Sequence, residues 1–170
     1  MRSPQTLSED QRRVLAFWAA DCAERVLPLF EAERPDDPRP REAIQRTRAF
    51  ALGELDTATA IRLRFGGGVI SKADLSAAAY AAARAAGQAS AVCHMGAHAL
   101  GAAAYVIEAV EFWAPDQRQS EMDRLVDQLT PEMLVALKLL PAALSDRSGP
   151  LGPGLITSGR RGEIIAALQK

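Results

Sequence analysis

The chain has 170 residues, with 20 basic and 21 acidic side chains for a net charge of −1, and 48% of its residues are apolar. That balance excludes bulk attraction to nucleic acid or to an anionic membrane. The length suits one domain that buries roughly 70% of its unfolded surface. No uninterrupted apolar run reaches the ~20 residues of a membrane span, because the alanine-rich stretch 77–107 is broken by Arg84, Gln88, Ser90, His94 and His98. Met1 to Gln5 leads into a charged segment instead of a secretory core. Cys22 and Cys93 sit in apolar helical contexts and read as free thiols, so the expected compartment is the reducing cytoplasm.

Taken in chain order, the punctuation is that of helices. Ser8 with Gln11 three residues on reads as a capping box, with Glu9 and Asp10 in the first turn. Val14, Leu15, Trp18, Ala19, Cys22, Val26 and Leu29 then recur at helical spacing. Pro28 falls inside this pattern and is expected to kink or split the helix near Leu27. Asp37 is placed to accept first-turn amides of a helix over about 40–52, which Gly53 ends. Asp56 caps a short helix through Phe65, stopped at Gly66-Gly67-Gly68. Ser71 opens an alanine-rich body expected as two helices, about 72–86 and 88–113, meeting near Gly87 and ended by Pro115. Ser120 and Thr130-Pro131-Glu132 open helices over about 121–129 and 131–144. Residues 145–158 are rich in glycine and proline and read as a loop, and 160–170 as a short final helix or a frayed tail.

No segment sustains two-residue alternation with β-branched residues. The fold class is therefore all-α: a single-domain bundle of about six to eight antiparallel helices around a central Ala-rich helix. Its core is expected over about 8–144, with 145–170 as loop and terminal helix or tail.

Both histidines of the chain, His94 and His98, lie four residues apart among small and apolar residues. On one helix that spacing stacks the imidazoles on a single face with Tyr105 below them. Such a pair is hydrogen-bonded, lines a cavity, or begins a transition-metal site that needs at least one further ligand. Asp21 and Glu24 lie on the shoulder of the first helix. Asp21 either pairs with Arg25 one turn on or turns inward to meet His94, His98 or Arg39. Cys22 and Cys93 read as buried thiols before they read as nucleophiles. The glycine run at 66–68 lacks the Lys-Ser/Thr of a phosphate-cradling loop. Arg39, Arg41, Arg46 and Arg48 form a basic edge, and Glu108, Glu111, Asp116, Glu121, Asp123 and Asp127 an acidic one next to Phe112 and Trp113.

Two stretches carry a resemblance. One is Leu15-Ala16-Phe17-Trp18-Ala19-Ala20-Asp21-Cys22-Ala23-Glu24, continuing through Pro28 to the Asp37-Pro38-Arg39-Pro40 turn. The other runs from Ala82 to His98-Ala99-Leu100-Gly101-Ala102-Ala103-Ala104-Tyr105. Together, over roughly residues 12–113, they resemble the immunity proteins of bacterial polymorphic toxin systems, specifically the all-helical immunity-five-like domain. The chain departs from that pattern at Gly66-Gly67-Gly68-Val69-Ile70. The resemblance implies a small cytoplasmic binder that neutralises a cognate toxin by occluding it. It brings no defined active site, so the recurrent positions Asp21, Glu24, Arg39, His94 and His98, with Tyr105, stand as binding candidates. The residues alone leave two other readings open: a metal-binding helical-bundle enzyme or sensor using His94 and His98, and a small-molecule pocket between the alanine-rich helices.

Overall fold

The structure, a computed structural model, describes residues 3–66, 70–154 and 156–170. Among them are eight α-helices and no strand: α1 (Glu9–Glu31), α2 (Arg39–Ala51), α3 (Thr57–Leu63), α4 (Ala77–Ala91), α5 (His98–Trp113), α6 (Arg118–Asp127), α7 (Pro131–Lys138) and α8 (Gly159–Leu168). The all-α bundle expected from the sequence is what forms, and one hydrophobic core runs through it from Leu15 to Ile165.

Local chemistry sets many boundaries where the sequence places them. The Ser8 hydroxyl accepts the Gln11 amide and the Gln11 side chain takes the Ser8 amide, so two otherwise orphaned donors are satisfied. Asp56 and Thr130 cap α3 and α7 through one bond each, their side chains accepting the Thr59 and Met133 amides. Gly53, at φ +79°, lets the chain turn left-handed after α2. The Gly53 and Glu54 amides then bond back to Phe50 and Ala49, which closes the helix end. Asp37 accepts the Arg39 amide at 3.2 Å, as expected.

Four expectations need correction. Pro28 does not split α1, which continues to Glu31; only the last turn lies beyond it, so little of the hydrogen-bond ladder is lost. The helix expected from 72 begins at Ala77, because Ser76 is the residue that caps it, accepting the Ala79 amide at 3.1 Å, whereas Ser71 only bonds Ala73 in a turn. Helix α6 starts at Arg118, directly after a 3-10 turn at Pro115–Gln117, and α7 stops at Lys138. The expected break at Gly66–Gly68 lies partly outside the described residues, at Gly67 and Gly68.

Helix α5 is the central element. Eleven of its 16 residues are buried, and it packs against α1, α4, α6 and α8. Alanine and Gly101 along it keep its neighbours close. The core also reaches beyond 8–144. Leu151, Ile164 and Ile165 are fully buried, so α8 docks as part of the bundle and is no frayed tail. Gln5 is fully buried as well. Its amide donates to Asp146 and to the Ser148 carbonyl, and its Oε1 accepts the Leu151 amide at 2.8 Å. That side chain ties the N-terminus to the loop before α8.

Charge is largely paired across the helices. The three glutamates of the acidic edge are committed: buried Glu121 takes both arms of Arg25 at 2.9 Å, Glu111 pairs with Arg118 and Arg160, and Glu108 with Arg161. On the basic edge, Arg41 pairs with Glu31 and Arg48 with both Asp21 and Glu24. No helix among the described residues is long and apolar enough to cross a membrane.

Candidate functional site

The segment between α4 and α5 builds the site. Gly87 does not break the alanine-rich body; it lies inside α4, which runs on to Ala91. The helix stops there because the next amides find other partners. The His94 and Met95 amides fold back on the Ala91 carbonyl, while the Gly96 and Ala97 amides donate to the carbonyls of Thr6 and Gln5. Gly96 keeps this junction tight, since a Cβ on it would lie 2.6 Å from the end of the Leu7 side chain, which would have to shift. The N-terminal strap therefore takes the hydrogen bonds that would have continued the helix.

The consequence corrects the expected histidine geometry. His94 sits in the turn and His98 is the first residue of α5, so the two are not stacked one turn apart on one helix. They still share a place. Both line a cavity of about 340 Å³ between α2 and α4, and both line a second one of about 360 Å³ bounded by Met95, Gly149, Pro150 and Ile156.

The first cavity is basic. Arg39 and Arg46 enter from α2, Arg64 from the turn after α3, and Arg84 from α4, while Pro40, Ala43 and Ala83 supply apolar wall. No acidic residue is among the described lining residues. Arg39 is held by Asp37 through bonds of 2.8 and 2.5 Å, which keeps the Asp37 carboxyl below the usual carboxylate range. Arg46 stands 3.8 Å from Glu42, and its buried Nε has no hydrogen-bond partner among the described residues. Arg64 donates to the Ile61 carbonyl at 2.6 Å and lies over the Phe65 ring. Arg84 lies over Tyr105 at 5.5 Å. Among the described residues, neither Arg64 nor Arg84 has a carboxylate partner.

Gln88 forms the polar floor, with its Oε1 2.8 Å from His98 Nδ1. An amide oxygen only accepts, so Nδ1 carries the hydrogen and Nε2 is left as an acceptor. Burial, reinforced by His94 and Arg64, pushes the His98 imidazole down to about 4. Burial and the charges of Arg64 and Arg12 lower His94 too. Both rings are therefore neutral at pH 7.

Of the residues singled out from sequence, the pocket brings together Arg39, His94 and His98. Tyr105 lies just behind it, buried between the guanidiniums of Arg84 and Arg161. Asp21 and Glu24 lie elsewhere: they point outward from α1 and share Arg48, so Asp21 meets neither histidine, nor Arg39, nor Arg25. Among the described residues no three His, Cys, Asp or Glu side chains converge on a point that could hold a metal ion. The thiols are poor nucleophiles. Burial raises Cys22 well above its ordinary value and Cys93 to about 11, so both stay protonated at neutral pH.

Sequence reasoning did not single out Arg64, Arg84 or Gln88 as site residues. A signal existed for two of them. Arg84 and Gln88 stand four apart in an otherwise alanine-rich helix, and polar residues at that spacing mark one wet face. Nothing local pointed to Arg64, which reaches the pocket only through the path of the chain after α3.

The fold and site together define an all-α helical bundle whose candidate site is a basic binding pocket. Residues 5–132 match the family described as Imm-5 like putative immunity protein, and the chain belongs to that family. The matched span holds all four pocket arginines and both histidines, and it extends past the stretches quoted above at both ends. Neither the curated proteins nor the solved structures gave a match.

Proposed function

We propose that this protein is a toxin-neutralising immunity protein that acts in the cytoplasm by binding its cognate toxin and covering the toxin's working surface. Family membership over residues 5–132 carries this reading. The surface supports it. Of the ten large apolar side chains exposed among the described residues, six fall between the end of α5 and the residue that follows α7: Phe112, Trp113, Val126, Leu134, Val135 and Leu139. Aromatic residues are common at the energetic centres of protein interfaces. Asp116, Asp123 and Asp127 are exposed along the same segment and suit a basic partner, whereas Glu108, Glu111 and Glu121 are committed to internal ion pairs.

The test is co-expression with candidate toxins from the same host, read as host growth, with complex formation checked by gel filtration. Protection together with a complex is the expected result. Phe112→Ser with Trp113→Ser should weaken the complex by at least about tenfold without lowering the melting temperature, since both side chains are more than half exposed. A folded protein that neither protects nor binds would overturn the reading.

A further inference from the structure

The cavity between α2 and α4 lies apart from the exposed apolar segment that runs from the end of α5 past α7. It gathers four guanidiniums around about 340 Å³, a volume within the ~300–1,000 Å³ of small-molecule sites. Among the described residues, Asp37 and Glu42 are the carboxylates paired with them, at Arg39 and Arg46. Four cations against two anions leave a site that favours about two negative charges. Like charges lining one cavity repel one another, and an anion between them relieves that cost. The neutral histidines at the end of the cavity add no further positive charge.

We propose that this pocket binds a small organic phosphate ester. Arg64 and Arg84, the two arginines without a carboxylate among the described residues, hold the phosphate, and the organic part lies against Ala43, Ala83 and Ile70. A phosphate ester carries about −1.5 to −2 charge at pH 7, matching the imbalance, and guanidinium forks fit its oxygens two at a time. Gln88 and the acceptor Nε2 of His98 suit hydroxyl groups on the organic part. The inference does not depend on toxin neutralisation and stands or falls separately.

The experiment titrates the purified full-length chain with phenyl phosphate, inorganic phosphate, succinate and phenol. Calorimetry gives stoichiometry and affinity, and the ring NMR signals of His94 and His98, the chain's two histidines, report on the site. One phenyl phosphate should bind and shift both signals, more tightly than inorganic phosphate, while phenol leaves them unmoved. Arg64→Gln and Arg84→Gln should each weaken binding by about tenfold or more, as expected for loss of a charge-assisted hydrogen bond. Gly87→Leu keeps every charge and places bulk at the cavity wall, where an added Cβ meets nothing within 4 Å; it should also block binding, which protects the result against an arginine variant that fails to fold. Three outcomes would overturn the proposal: no shift of either histidine at about 10 mM phenyl phosphate, a millimolar-or-tighter site being the least such a pocket supports; affinity unchanged in all three variants; or succinate binding where phenyl phosphate does not.

Discussion

The Gln88 side-chain oxygen lies 2.8 Å from His98 Nδ1, joining the last turn of α4 to the first residue of α5 across the turn that separates them. Gly101 makes the contact possible. One turn along α5, it leaves room for the Gln88 amide, and a Cβ there would stand 2.5 Å from Gln88 Oε1 and 3.1 Å from the Ile156 side chain. Gly101→Ala should push Gln88 off His98, at a cost of about 1–2 kcal/mol for the lost bond and the crowding, less the helix-propensity gain. Denaturant unfolding gives the cost. An unchanged His98 ring signal in the variant would show that Gln88 had not moved.

The same histidine makes stability depend on pH. Its folded-state value of about 4 lies below the ~6.5 of an unfolded chain, so below pH 6.5 the unfolded state takes up the proton first. Stability from this group is whole above about pH 7 and is lost as pH falls from 6.5 toward 4. Lowered carboxylates such as Asp37 extend the loss to more acid conditions. Unfolding free energies at pH 7.5 and pH 5 should differ by about 1–2 kcal/mol from His98, at about 1.4 kcal/mol per pKa unit less an allowance for the ring's partial exposure. His98→Gln should flatten the profile; an equal slope in wild type and variant would place the titration elsewhere.

Arg25 and Glu121 should respond asymmetrically to substitution. Glu121 is buried, while the Arg25 side chain is 42% exposed. Among the described residues, removing Arg25 leaves the buried carboxylate with Arg124, at 3.5 Å, as its one cationic partner. Removing Glu121 returns an arginine to water. Arg25→Ala should therefore cost about 2–4 kcal/mol and Glu121→Gln about 1–2. Thermal unfolding of the two variants side by side decides the order.

Gln5 should matter far more than a residue so near the chain's start usually does. Its side chain makes three hydrogen bonds to the loop before α8, and its carbonyl takes the Ala97 amide. Gln5→Ala leaves the Leu151 amide buried and unpaired and should cost about 2–3 kcal/mol. Hydrogen exchange should speed up at Leu151, and also at Gly96 and Ala97 if the strap itself loosens. Unchanged protection at Leu151 would refute the role.

What the sequence determined by itself was the helical character and most of the helix starts. These depend on neighbours within four residues: Ser8 with Gln11, Asp56 with Thr59, Thr130 with Met133, and Gly53 where the backbone turns left-handed. The family resemblance was legible for a similar reason, being carried by short contiguous stretches around Asp21 and His98. The tertiary structure decided where α4 ends and what surrounds the histidines. Gly87 looked like the break because helix propensity is lowest there, but the backbone of Gln5 and Thr6, some ninety residues away, captures the amides of Gly96 and Ala97 and ends the helix beyond it. The pocket arose in the same way. Arg39, Arg46, Arg64 and Arg84 come from three separate segments, and their like charges meet only because packing of α2 against α4 brings them to one cavity. Local patterns encode hydrogen bonds between near neighbours, whereas a cavity is encoded by the path of the whole chain.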